Sequence, residues 1–198
     1  MKRKLPTRFT FAAEAVAIGA SAGGIDALFN LLDDLQPPVQ APIVIVLHLP
    51  EDHESRLVEV FRSRLRVPVQ EAQPHAPVVA GTVYFAPPGY HLLVEADRSF
   101  SLSCDPPVLF SRPSIDLMME SCAEAYGPGL VGMVLTGANE DGARGLARVK
   151  ACGGLAVAQD PADALHSIMP RAAIAAAGPD YVLPLAGLHG LLHTVVHR

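Results

Sequence analysis

Apolar runs of strand length alternate with apolar residues at helical spacing along most of this chain. Residues 15–18 form a short apolar run that stops at Gly19-Ala20-Ser21-Ala22-Gly23-Gly24. Ile25, Leu28, Leu31 and Leu32 then recur at the spacing of an amphipathic helix. Ile43-Val44-Ile45-Val46-Leu47 is continuous and β-branched, the pattern of a strand buried on both faces. Leu57, Val58, Phe61 and Leu65 predict a helix over 51–65, bounded by Pro68, with a short strand at 67–70.

The middle of the chain breaks this rhythm. Residues 81–85 read as a strand ended by Pro87-Pro88-Gly89, and 91–95 and 99–103 flank Ala96-Asp97-Arg98 as an antiparallel hairpin. Pro106, Pro107 and Pro113 make the next stretch a loop, and Ser114 or Asp116 supplies the opening group of a helix to about Tyr126. Strand and helix then alternate again: a strand at 130–135, a helix from Asp141 to about Cys152 ended by Gly153-Gly154, and a strand at 155–158. A helix over 169–177, a strand at 181–183 and a C-terminal helix complete the pattern. These units predict an α/β fold, a doubly wound and mostly parallel sheet with helices on both faces and an inserted antiparallel hairpin.

Composition narrows the classes. With 198 residues, 50% hydrophobic and 18% charged, the chain is predicted to be one soluble domain over 14–198, preceded by a loose basic leader at 1–13. A net charge of −5 gives none of the basic excess of a nucleic-acid binder, and no apolar stretch reaches membrane-spanning length. Met1-Lys2-Arg3-Lys4 superficially resembles the start of a secretory signal. Pro6, Arg8 and Glu14 interrupt the apolar residues after it, and cleavage near Ala20 would remove the first core strand, so a cytoplasmic location is expected. Cys104, Cys122 and Cys152 have neither disulfide-framework nor zinc-site spacing.

Ligands of such sheets sit beyond the carboxyl ends of the strands. Ser21, His48 and Asp141 each follow a predicted strand end. Gly19-Ala20-Ser21-Ala22-Gly23 also fits the G-x-S-x-G turn that projects a serine hydroxyl outward beside helix N–H groups. Nucleophile, base and orienting carboxylate on one rim is the set that serine-based acyl transfer requires. Taken singly, each has a plainer reading: a glycine-rich connection, a core histidine, a helix cap. Two other chemistries are weaker. A dinucleotide turn would place a glycine where Ser21 stands, and His189 and His193 share a helix face without a third ligand for a metal.

The ordered segments Ile18-Gly19-Ala20-Ser21-Ala22-Gly23-Gly24, His48-Leu49-Pro50, Tyr84-Phe85-Ala86-Pro87-Pro88-Gly89-Tyr90-His91, Arg112-Pro113-Ser114-Ile115-Asp116, Leu135-Thr136-Gly137 with Asp141-Gly142-Ala143, Ala158-Gln159-Asp160 and Met169-Pro170-Arg171 resemble the catalytic domain of the chemotaxis protein-glutamate methylesterases. The resemblance spans residues 16–188. It implies hydrolysis of γ-glutamyl methyl esters on chemoreceptor signalling helices and, in some members, deamidation of receptor glutamines. It places the triad on Ser21, His48 and Asp141 and the backbone oxyanion donors at Ala22 and Ala138, and it implies neither metal nor organic cofactor.

The pattern departs from the family at several points. Family members commonly carry an N-terminal receiver domain, for which these 198 residues leave no room, so a built-in phosphorylation switch is not expected unless another protein supplies it. Ala22 replaces a threonine, Leu47 a glutamine, and Ala138 and Asn139 a methionine and a glycine. These changes leave open a non-catalytic module that keeps the fold and binds receptor or signalling proteins, and an enzyme acting on a different ester. Arg112, Asp116 and Arg171 are expected to serve structural ion pairs more than substrate orientation.

Overall fold

The computed structural model describes residues 11–48 and 56–198. Seven strands form one sheet: β1 (Ala15–Ala20), β2 (Ile43–Leu47), β3 (Val69–Glu71), β4 (Val83–Phe85), β7 (Leu130–Val134), β8 (Leu155–Gln159) and β9 (Tyr181–Leu183). Between β4 and β7 in the chain, β5 (His91–Val94) and β6 (Phe100–Ser103) pair antiparallel as the separate two-stranded ribbon predicted for the middle of the sequence. The large sheet has the order β3-β4-β2-β1-β7-β8-β9, and every pairing in it is parallel.

Alternation along the central strands feeds two cores. Val16, Ile18, Ala20, Ile43, Ile45 and Leu47 face a layer built by α1 (Gly24–Leu32), α2 (Leu57–Arg62) and α6 (Leu185–Val196). Ala15, Ala17, Val44 and Val46 face the opposite layer, built by α3 (Ile115–Tyr126), α4 (Ala143–Ala151), α5 (Ile168–Ala177) and the ribbon. All six residues of β1 and all five of β2 are buried. At roughly 1.5–3 kcal/mol for each large aliphatic side chain removed from water, these two strands anchor the molecule.

The predicted basic leader falls largely on residues 1–10 and the predicted start of the 51–65 helix on 51–55; both lie outside the described residues, as do Leu49, Pro50 and His53. The third strand begins two residues later than its pattern suggests, because Val67 is a core residue of the loop before it. Among the described residues no helix is long and apolar enough to cross a membrane.

One glycine and one tight turn shape the rim. At Gly19, a Cβ would lie 2.2 Å from Ile115 Cγ2, so only glycine lets the start of α3 close against the end of β1. Gly23 adopts φ 76° at the entry to α1, a left-handed conformation that glycine reaches without steric cost.

Candidate active site

The sheet reverses its order beside β1, and the C-terminal ends of its strands open there into a crevice. Ala20 and Leu47 are register partners, so Ser21 and His48 are the next residues on two neighbouring parallel strands. Backbone bonds carry the register past the strand ends: His48 N–H donates to Ala20 O at 3.1 Å, and Ser21 N–H donates to Thr136 O at 3.0 Å. Ser21, Leu47, His48, Ile25 and Asp26 line a common cavity of about 330 Å³.

Asp141 arrives by another route, on the loop between β7 and α4. His48 Nε2 lies 2.9 Å from Asp141 Oδ2, with the histidine side chain 10% exposed and the aspartate fully buried. The carboxylate also accepts from Ile115 N–H at 2.7 Å, Asp116 N–H at 2.9 Å, Gly142 N–H at 3.0 Å and the Ser114 hydroxyl at 3.0 Å. Burial pushes the Asp141 carboxyl up, but the His48 bond and the Asp116 and Ile115 N–H groups outweigh it and hold the group below its ordinary value. Asp141 is therefore a carboxylate, and it accepts a hydrogen bond from the His48 ring: the Nε2–H tautomer is the one that fits, leaving the lone pair on Nδ1.

Asp141 is indeed a helix cap, but chiefly of α3 rather than of the helix it precedes. The N-terminus of α4 is served by Asp116, whose Oδ1 accepts from Gly142 N–H at 2.9 Å and Gly145 N–H at 2.7 Å. Ser114 fills the N-cap position of α3, its Oγ accepting from Leu117 N–H at 3.4 Å. The structural part of Asp116 is thus a cap more than an ion pair, since Arg144 Nε stands 3.8 Å away. Arg112 donates to the carbonyls of Cys104 and Asp105, and Arg171 Nε to Ser167 Oγ, where salt bridges were expected.

The structure unites His48 with Asp141 by a hydrogen bond and His48 with Ser21 by register and a shared cavity. Ser21 Oγ makes no hydrogen bond to a described residue; such bonds commonly close only when substrate binds. Ala22 and Ala138 border the same rim, and neither N–H is bonded to a described residue, while Thr136 Oγ1 pins the turn by donating to Ala22 O at 2.9 Å. His91, another histidine of the chain, is fully buried and committed: Nδ1 accepts from Ser114 N–H at 3.1 Å and Nε2 faces Pro106 O at 3.2 Å. His189 and His193 both point Nε2 at Asp33 O, and among the described residues no group of three or more potential ligands could hold a metal.

Two further residues reach this imidazole: Asn139, already marked as a departure from the family pattern, and Ser111, which the sequence does not mark. Ser111 Oγ lies 3.4 Å and Asn139 Nδ2 3.5 Å from His48 Nδ1. Both sit beside recognised segments, Ser111 just before Arg112-Pro113 and Asn139 two residues before Asp141, but nothing in the spacing aims them at the imidazole.

The CheB methylesterase family model matches residues 16–192. A Leptospira interrogans protein provisionally named protein-glutamate methylesterase/protein-glutamine glutaminase is 46% identical over 172 residues, covering 87% of this chain and 89% of its own. The Myxococcus xanthus protein-glutamate methylesterase FrzG is 36% identical over 177 residues; this chain covers 53% of its length. The crystal structure of the Thermotoga maritima CheB methylesterase catalytic domain superposes with a TM-score of 0.88 at 31% identity, over 93% of this chain and 100% of that one. This chain belongs to the CheB methylesterase family.

Proposed function

We propose that this protein is a serine hydrolase that removes methyl esters from glutamate side chains of chemoreceptor-type signalling proteins, and that it also deamidates receptor glutamines. The observation that carries the reading is the His48–Asp141 bond at the C-terminal rim, set beside a serine on the adjacent strand end. Family membership supplies the substrate class, because relatives carry the methylesterase and glutaminase names. Its partners are methylated receptor helices, with a separate regulatory protein supplying control; residues 14–198 act as the catalytic unit in the cytoplasm.

In this reading Ser21 Oγ attacks the ester carbonyl and its proton passes to His48 Nδ1. Asp141 holds the opposite ring nitrogen and stabilises the imidazolium that forms. The oxyanion meets the Ala22 and Ala138 N–H groups, a contribution of about 3–4 kcal/mol per donor. The His48 proton then goes to the departing methoxide, which leaves as methanol, and a water hydrolyses the Ser21 glutamyl ester.

Methanol release from methylated chemoreceptor tests the reading. Wild-type protein should release methanol, and Ser21→Ala and His48→Ala should each lose on the order of 10⁴–10⁶-fold in kcat while melting cooperatively. Release by Ser21→Ala at the wild-type rate would reject the mechanism. Receptor binding by wild-type protein without any release would make the chain a binding module instead.

A further inference from the structure

With Nε2 given to Asp141, the working nitrogen of His48 is Nδ1, and the side chains around that nitrogen bear on every proton it moves. Ser111 Oγ and Asn139 Nδ2 stand 3.4 and 3.5 Å from Nδ1 and 3.5 Å from each other. The Asn139 amide is oriented by its other end: Oδ1 accepts Asp141 N–H at 3.2 Å, which turns the Nδ2 donor toward His48. Ser111 is held by a two-residue hairpin, exchanging both backbone bonds with Val108 at 2.8 and 3.1 Å. One donor, one hydroxyl and one basic nitrogen therefore form a nearly equilateral triangle.

We propose that Ser111 and Asn139, with His48 Nδ1, form the subsite that holds the leaving methanol oxygen in the first half-reaction and the attacking water in the second; this rests on the hydrolase reading above. An oxygen about 2.8 Å from all three atoms would sit about 2 Å above their plane, at ordinary hydrogen-bond distance from each. In the first half-reaction that oxygen is methoxide, accepting from Asn139 Nδ2–H while His48 Nδ1–H delivers the proton. In the second it is water. Water accepts from Asn139 Nδ2–H, donates one hydrogen to Ser111 Oγ and directs the other at Nδ1. Its oxygen bonds to the acyl carbon as its proton passes to Nδ1; the C–Oγ bond of Ser21 then breaks and Nδ1–H returns that proton to Ser21 Oγ. The glutamate carboxyl group is released and the enzyme is restored.

The test separates acylation from deacylation. A fluorophosphonate labels Ser21 with loss of fluoride, and p-nitrophenyl acetate acylates it with loss of p-nitrophenolate; neither leaving group needs a proton. Ser111→Ala and Asn139→Ala should keep labelling rates within about twofold of wild type and show a one-equivalent p-nitrophenolate burst. Their steady-state turnover should fall about tenfold each, the loss expected when one hydrogen bond to the water disappears. Ser111→Thr, which keeps the hydroxyl, should recover most of it. Steady-state rates at the wild-type level in both alanine variants would overturn the subsite alone. A parallel drop in labelling would also overturn it, showing that the two residues merely support His48. Wild-type protein that neither takes the label nor hydrolyses p-nitrophenyl acetate or methylated chemoreceptor would sink the hydrolase reading and this subsite with it.

Discussion

The starts of α3 and α4 face each other across one loop and are capped alike, yet their carboxylates behave in opposite ways. Asp141 serves the first N–H groups of α3, and Asp116, from within α3, serves those of α4. Both are buried. Asp141 has five donors, among them His48 and the Ser114 hydroxyl, and stays below the ordinary carboxylate value in spite of its burial. Asp116 is raised: burial dominates, the Gly145 N–H offsets part of it, and the nearby Asp141 charge adds to the rise. The contrast teaches that capping alone does not offset the cost of burying a carboxylate's charge. The extra donors do, and one of them is the imidazole whose tautomer the charge then fixes.

Substituting the two carboxylates in parallel breaks this contrast most sharply. Asp141→Asn retains an acceptor for the Asp116 and Gly142 N–H groups but loses the charge and turns a donor toward His48 Nε2 and Ile115 N–H. Its kcat for methyl-ester hydrolysis should fall about 10⁴-fold while its fold persists. Asp116→Asn should leave kcat within about tenfold of wild type and cost on the order of 1 kcal/mol in urea unfolding, the scale of a weakened helix cap. Equal activity losses in the two variants would erase the distinction drawn here.

A smaller effect lies in the donors around Asp141. Ser114→Ala removes the hydroxyl from Oδ1 and the N-cap of α3 together, and should cost about 1–2 kcal/mol of stability. On acidification its stability should begin to fall at a higher pH than that of wild type, since Asp141 loses a bond that favours its charged form. An acid onset that matches wild type would show that the serine acts as a cap only.

The smallest effect is in the pH dependence of stability, and its signs oppose. Asp141 is lowered in the fold, so its contribution is present above the unfolded value and is lost as pH falls through the lowered folded value. Asp116 is raised, so its contribution is present below the unfolded value and is lost as pH rises through the raised folded value. Urea midpoints between about pH 3 and 7 should therefore decline less toward acid in Asp141→Asn, and decline less toward neutrality in Asp116→Asn. His193 adds a third slope: burial, then the neighbouring His189, lower its value, so its contribution is lost as pH falls below the ordinary histidine range.

How much of this the sequence discloses depends on what positions each side chain. Ser21 and His48 are set by strand ends and register, and period and β-branching reveal both. Asp141 is legible as a residue after a strand, though its reach to the N-terminus of α3, 25 and 26 residues back along the chain, is not. The crossing of the two caps, and the approach of Ser111 and Asn139 to Nδ1, depend on loop paths and rotamers. No local pattern encodes those. The fold is easier for the same reason: buried parallel strands announce themselves as unbroken apolar runs, whereas the 69–71 strand, with only Val69 fully buried, has a blurred start.

The most direct test is the protonation of the His48 ring in the resting protein, read by nitrogen-15 NMR with Asp141→Asn as the comparison. Neutral imidazole at neutral pH should carry its hydrogen on Nε2, bonded to Asp141, and leave Nδ1 bare, with that preference lost in the variant. A neutral ring carrying its hydrogen on Nδ1 in the wild-type protein would contradict this, because Nδ1 would then have no lone pair to take the Ser21 proton.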